Sequence, residues 1–188
     1  HSSALISQGQ RSNPICHEGR SESMKLIISI DVEEDLWDHY QPTDNPVVNI
    51  DFLPDLQAIF DRYNAVPTYL VNWPVVTTDR SRRILLKLLE QGNCAIGMHI
   101  HPWNTPPVEE TVSARNSLIC NLPADLIRNK LHTLHAAFEE HLGIKPSCFR
   151  AGRWGFGSNV AHVVSELNYT IDSSITPFID WSETHGPD

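Results

Sequence analysis

Gly97-Met98-His99-Ile100-His101-Pro102-Trp103 follows the apolar run Cys94-Ala95-Ile96. The run reads as a buried strand with two histidines at its end. Side chains at i and i+2 of a strand point to the same side, so His99 and His101 share a face. A second strand ends alike. Lys25-Leu26-Ile27-Ile28-Ser29-Ile30 runs into Asp31-Val32-Glu33-Glu34-Asp35, with Asp31 and Glu33 again at i and i+2. Two imidazoles joined by a carboxylate form a donor set for one divalent metal ion. Two strands that each end in such a pair point to a hydrolytic metal site.

Strand and helix signals alternate outward from these two strands. Residues 26–31, 66–71, 94–101, 147–150 and 169–172 read as strands. Helical spacing covers residues 51–63, with Phe52, Leu56, Ile59, Phe60 and Tyr63 as its apolar positions and Asp51 as its cap. A helix over 80–91, capped by Asp79, carries Ile84, Leu85, Leu88 and Leu89 on one stripe and ends at Gly92. The longest helix, 124–142, has Leu126, Ile127, Leu131, Leu134, Phe138 and Leu142 on one face and stops at Gly143; another runs from Ser158 to about Leu167. Strands apolar on both faces, alternating with helices, imply a parallel sheet covered by helices. In such folds the chemistry sits at the carboxyl ends of the strands. Asp31, Glu33, His99, His101, Arg150 and Asp172 all fall there. Long loops leave the same pole at 34–50 and 102–122.

The length suits one domain. The formal charge of -9 argues against nucleic acid as a partner. The four cysteines, Cys16, Cys94, Cys120 and Cys148, are scattered without a CxxC, which favours a reducing compartment over a disulfide framework. No apolar run approaches the ~20 residues of a membrane span. Residues 1–23 are polar, lack periodicity and have no apolar signal core, and Met24 opens a strand at once. We read 1–23 as a leader and 24–188 as the domain, with the cytoplasm as the expected location.

Four motifs now stand in order: Ser29-Ile30-Asp31-Val32-Glu33, Gly97-Met98-His99-Ile100-His101-Pro102, Phe149-Arg150-Ala151-Gly152-Arg153-Trp154-Gly155 and Tyr169-Thr170-Ile171-Asp172-Ser173-Ser174. Together they resemble the polysaccharide deacetylases of the NodB-homology type, carbohydrate esterase family 4, over most of residues 24–188. The resemblance implies an α/β fold, a distorted (β/α) barrel, with about five of the family's seven strands in this chain. It implies removal of N- or O-linked acetyl groups from a glycan with a divalent metal, Zn²⁺ first and Co²⁺, Ni²⁺ or Fe²⁺ as alternatives. On the matching positions, Asp31 is the general base, Glu33 and His99 are metal ligands, Arg150 orients the base, and Asp172 supports the arginine region. The family's second histidine stands at i+4, where this chain has Trp103. His101 is the available substitute. The family's fifth motif, an apolar strand carrying the acid histidine, is not found.

The plainer readings differ from residue to residue. Trp103, Arg153 and Trp154 are taken as substrate-binding, since sugar rings stack on exposed aromatics; core packing or ion pairing is the alternative. Glu34 and Asp35 read as surface residues or alternative ligands. His132, His135 and His141 read as a solvated helix face, and His39 as a residue that could line the cleft. The tail, residues 181–188, reads as a loop, which implies a C-terminally truncated barrel with little activity of its own and self-association through open edges. Two rivals accompany the deacetylase: a hydrolase of the same fold acting on a small linear amide, and a catalytically degenerate glycan-binding protein.

Overall fold

The computed structural model describes residues 25–187, so the leader at 1–23 lies outside the described residues. Five strands form one sheet in the order β1 (Ser29–Val32), β2 (Thr68–Val71), β3 (Ala95–Ile100), β4 (Cys148–Ala151) and β5 (Ile171–Asp172), and each neighbouring pair is parallel. Sequential order means that every crossover carries the chain one strand over, with all carboxyl ends at one pole. The expected α/β architecture is present as an open five-stranded sheet, not a closed barrel.

The register sorts the side chains. Asp31 pairs with Leu70, Leu70 with Gly97, and His99 with Arg150, so these residues share one face of the sheet. The other face carries Val32, Tyr69, Val71, Met98, Ile100 and Phe149, all buried in the main core under the helices. A flat parallel sheet would hold β1 and β4 ~14 Å apart, three inter-strand spacings. Yet Arg150 Nη1 lies 2.7 Å from Asp31 Oδ1. The sheet therefore curls around the Asp31 face. Close packing inside the curl is visible at Gly97: a Cβ there would stand 2.7 Å from Leu70 Cδ2 and 2.8 Å from the Cys148 carbonyl oxygen.

The helices are α1 (Leu53–Arg62), α2 (Trp73–Thr77), α3 (Asp79–Gln91), α4 (Ala124–Leu142) and α5 (Ser158–Glu166). Gly92 and Gly143 take left-handed conformations, φ 73° and 68°, and end α3 and α4 as expected. The whole expected apolar face of α4 is buried. Three expectations need correction. β1 begins at Ser29, and Leu26 and Ile27 before it are exposed. α1 buries Leu53 and Gln57, while Phe52, Ile59 and Tyr63 face outward; the Gln57 amide instead bonds Asp61 Oδ1, and its oxygen accepts the Tyr69 hydroxyl at 2.8 Å. Asp51 forms an ion pair with Arg80 rather than a cap, and Asp79 is the first residue of α3, bonded to Arg82. α2 has only five residues and no sequence signal separates it from a strand.

Exposed large apolar side chains stand beside both ends of the strand order as well as on α1 and the loops. Leu26 and Ile27 precede β1, and Ile171, Ile175, Phe178 and Ile179 lie on β5 or after it. Among the described residues no helix is long and apolar enough to cross a membrane.

One buried charge ties the helices to the pole at the carboxyl ends of the strands. Lys130 on α4 is fully buried; its ammonium donates to the Pro102 and Thr105 carbonyls at 2.8 Å each and lies 3.1 Å from Glu110. This pins the loop that follows β3. Lys130→Met leaves two carbonyls and a carboxylate unpaired. It should cost about 3–5 kcal/mol of folding stability, read by urea denaturation.

Candidate functional site

Glu33, His99 and His101 meet at the carboxyl ends of β1 and β3. Glu33 Oε2 lies 3.1 Å from His99 Nε2 and 3.2 Å from His101 Nε2, and the two Nε2 atoms are 3.0 Å apart. The far side of each ring decides what these atoms are. His99 Nδ1 lies 3.1 Å from the Arg150 carbonyl oxygen, which can only accept, so Nδ1 carries the hydrogen. His101 Nδ1 lies 2.9 Å from the Glu34 carboxylate, which also accepts. In the neutral rings both Nε2 atoms are then bare lone pairs. In that neutral form three acceptors converge with no hydrogen between them. Such an arrangement asks for a cation, and the one-carboxylate, two-imidazole set suits a divalent transition metal.

The same convergence attracts protons. Burial alone would push His101 down, but the hydrogen bonds and charges of Glu33 and Glu34 outweigh it and raise its pKa to about 9. Burial would likewise push the Glu33 carboxyl up, and the two histidines outweigh that and hold it at about 2.

Asp31 stands on β1, two residues before Glu33. Its carboxylate accepts from Arg150 Nη1 at 2.7 Å. Arg150 is itself fixed: Nη2 donates to Ser29 Oγ at 2.6 Å, and Nε donates to Ser173 at its carbonyl, 3.1 Å, and its Oγ, 3.0 Å. Asp31, Glu33, His99, His101 and Arg150 line one cavity of about 360 Å³. Arg153 and Trp154 lie in its wall, where they were expected. Both have positive φ, 53° and 61°, a strained backbone for side chains of this size. Arg153 Nη1 donates to the Ala114 carbonyl at 3.1 Å and to Ser117 Oγ, and its guanidinium stacks on Tyr40.

Two expected site residues stand elsewhere. Trp103 is buried, stacked on His101 with centroids 4.1 Å apart, and its indole N–H donates to Glu34. It supports the histidine from behind and has no open face for a sugar. Asp172 pairs in register with Phe149, not Arg150, so it lies on the opposite face of the sheet and is exposed. Its carboxylate bonds Ser174, and Ser173 takes the place beside Arg150.

Other residues were missed or misread. Trp37 and Trp181 join Trp154 in the cavity wall. Nothing in their local spacing marks them, because each comes from a loop brought in by the fold. Glu34, expected at the surface or as an alternative ligand, is buried. Asp35 closes the loop after β1 by accepting the N–H groups of Val48 and Asn49 at 3.0 Å each. His39 is exposed, and His135 is not simply solvated: its Nδ1 lies 3.0 Å from the Tyr169 hydroxyl. Among the described residues, His99 and His101 are the histidines that line the cavity; His185 does not.

No family model matches the chain, and no curated protein matches it in sequence. Solved structures do match in fold. A Mycobacterium smegmatis protein described as a polysaccharide deacetylase aligns with TM-score 0.56 at 20% identity, over 79% of this chain and 50% of that one. A peptidoglycan N-acetylglucosamine deacetylase aligns with TM-score 0.54 at 16% identity, over 78% of this chain and 54% of that one. A family 4 carbohydrate esterase pseudoenzyme from Bacillus anthracis aligns with TM-score 0.52 at 16% identity, over 78% of this chain and 41% of that one. The chain thus spans about half the length of the structures it matches. It has the polysaccharide deacetylase fold of the family 4 carbohydrate esterases, present as a five-stranded open sheet.

Proposed function

We propose that this chain carries the metal centre and base of a hydrolase that removes N- or O-linked acetyl groups from a glycan. The observation that carries the reading is the convergence of Glu33, His99 and His101 beside the Asp31–Arg150 pair in one cavity. A divalent ion held there, Zn²⁺ first, would lower the pKa of its water towards ~7 and polarise the acyl oxygen. Asp31 takes the proton from the attacking water. The Arg150 guanidinium aims that carboxylate through its 2.7 Å hydrogen bond. Trp37, Trp154 and Trp181 offer apolar faces to sugar rings, and Arg153 offers hydrogen-bond donors beside them. The N-acetylglucosamine deacetylase among the structural relatives supports an acetamido sugar as the substrate class. The cytoplasmic setting expected from the acidic charge belongs to this proposal.

A second reading is a glycan-binding protein on a degenerate deacetylase fold. It is favoured by the cavity itself, where no histidine beyond the two candidate ligands is present among the described residues to protonate a leaving amine. A pseudoenzyme shares the fold, so the fold alone does not separate the two.

Asp31→Asn keeps the shape and the Arg150 contact but removes the proton acceptor. It should leave zinc content unchanged and lower acetate release from acetylated chito-oligosaccharides by ~10²–10⁴-fold in a version that has activity. Wild-type turnover in this variant would move the base elsewhere, and acetylated-glycan binding without acetate release under any metal would favour the second reading.

Zinc must displace the proton that His101 holds below about pH 9. Affinity should therefore fall about tenfold per unit as the pH is lowered from 8 to 6, measured by competition with a chromophoric chelator. The metal-free protein should behave in the opposite sense. His101 binds its proton more tightly folded than unfolded, so this contribution to stability is full below pH 6.5 and is lost as the pH rises to about 9. Thermal unfolding between pH 6 and 9, with and without zinc, reads both effects.

Self-association through the open edges beside β1 and β5 completes the proposal. Sedimentation velocity over a concentration series should show a mass that rises with concentration; a constant monomer mass would remove it.

A further inference from the structure

Glu33 and Glu34 are adjacent, yet they face different surroundings. Glu33 turns its carboxylate to the two Nε2 atoms. Glu34 lies buried behind His101, away from the cavity wall. Its Oε1 accepts from His101 Nδ1 at 2.9 Å, Asn104 Nδ2 at 2.8 Å and Trp103 Nε1 at 3.2 Å, and its Oε2 accepts from Asn72. These donors come from the end of β2 and from the loop after β3, the loop whose carbonyls Lys130 holds. The ring of His101 is constrained on every side. Trp103 stacks on its face, Glu34 holds Nδ1, and Gly152 leaves room for its edge, since a Cβ at that position would collide with the imidazole.

A histidine can ligate through Nε2 only when the hydrogen is on Nδ1, and only when the ring cannot turn away. His99 obtains both from a backbone carbonyl. His101 has no such carbonyl and depends on a side chain. We propose that Glu34 is the positioning residue of the metal centre: its carboxylate fixes His101 as the Nδ1–H form and aims Nε2 at the cation, with Trp103 and Asn104 holding that carboxylate in place. The adjacent acids thus divide the work, Glu33 as ligand and Glu34 as the group that makes His101 a ligand. This assignment explains how a histidine at i+2 can serve where Trp103 occupies i+4. It rests on the metal-centre reading above.

A merely structural role is the alternative. Glu34 would then tie β2 to the loop after β3, and its loss would lower stability without changing the zinc affinity of the folded molecules. Zinc titrations against a chromophoric chelator separate the two, run on the full chain with folding followed by circular dichroism. Wild type should bind one zinc and His99→Ala should not. Glu34→Ala should bind ~10–100-fold more weakly. Glu34→Gln should recover the larger part of that loss, because its amide oxygen still accepts from Nδ1. Asn72, whose Oδ1 has no partner, can turn to accept the new N–H. Unchanged affinity in Glu34→Ala, or no recovery in Glu34→Gln, overturns the assignment while leaving the metal centre standing. Absence of zinc binding in wild type removes both. If Glu34→Ala does not fold, histidine ¹⁵N shifts of the zinc-loaded wild type decide: His101 must be protonated at Nδ1 and metallated at Nε2, and the reverse overturns the proposal.

Discussion

The Arg150 guanidinium is the hub on which this structure turns. From β4 it reaches Asp31 and Ser29 on β1 and Ser173 just past β5, while the carbonyl of the same residue receives His99 from β3. One residue therefore binds β1, β3 and the segment that follows β5. An arginine suits this place because its fork presents several donors in fixed directions and stays charged. The pair with Asp31 also bends the sheet. Its ends could not meet across three flat inter-strand spacings, so the curl that makes the cavity and the contact that aims Asp31 are one feature.

Behind the cavity the polar groups are layered. Glu33, His99 and His101 form the innermost set, Glu34 and the Arg150 carbonyl hold the rings, Trp103, Asn104 and Asn72 hold Glu34 in turn, and Lys130 holds the loop that carries Trp103 and Asn104. The outer layers, Glu34 with Trp103, Asn104, Asn72 and Lys130, are buried behind the cavity wall, and burying such polar groups is costly unless they are hydrogen-bonded. Rigidity of the donors follows from that requirement. The outer wall is built differently. Trp37, Trp154 and Trp181 come from three segments far apart in the chain and meet only in the folded molecule.

Most of the scaffold was legible in the sequence because parallel β/α folds leave a strong local signal. Apolar strands, helices stopped by Gly92 and Gly143, and polar residues at strand ends are properties of short windows. So were Asp31, Glu33, His99, His101 and Arg150, since i,i+2 spacing at a strand end already puts two side chains on one face. The failures occur where periodicity is silent. Phe52, Ile59 and Tyr63 have helical spacing, but spacing cannot say which stripe of α1 meets the core, and Gln57 is buried because Tyr69 and Asp61 satisfy its amide.

What the sequence determined by itself is the order of elements and the identity of the residues that could do chemistry at the carboxyl pole. What only the tertiary structure decided is which of them face each other. Asp172 was lost from the site by a single step of register, since its partner is Phe149 and Ser173 stands beside Arg150. Trp103, expected in the cavity, and Glu34, expected at the surface or as an alternative ligand, both lie in the interior, because the turn after β3 folds back over the end of β1. Side-chain alternation along one strand is written in the chain, whereas register between strands and the path of a loop are fixed by packing against residues far away in sequence.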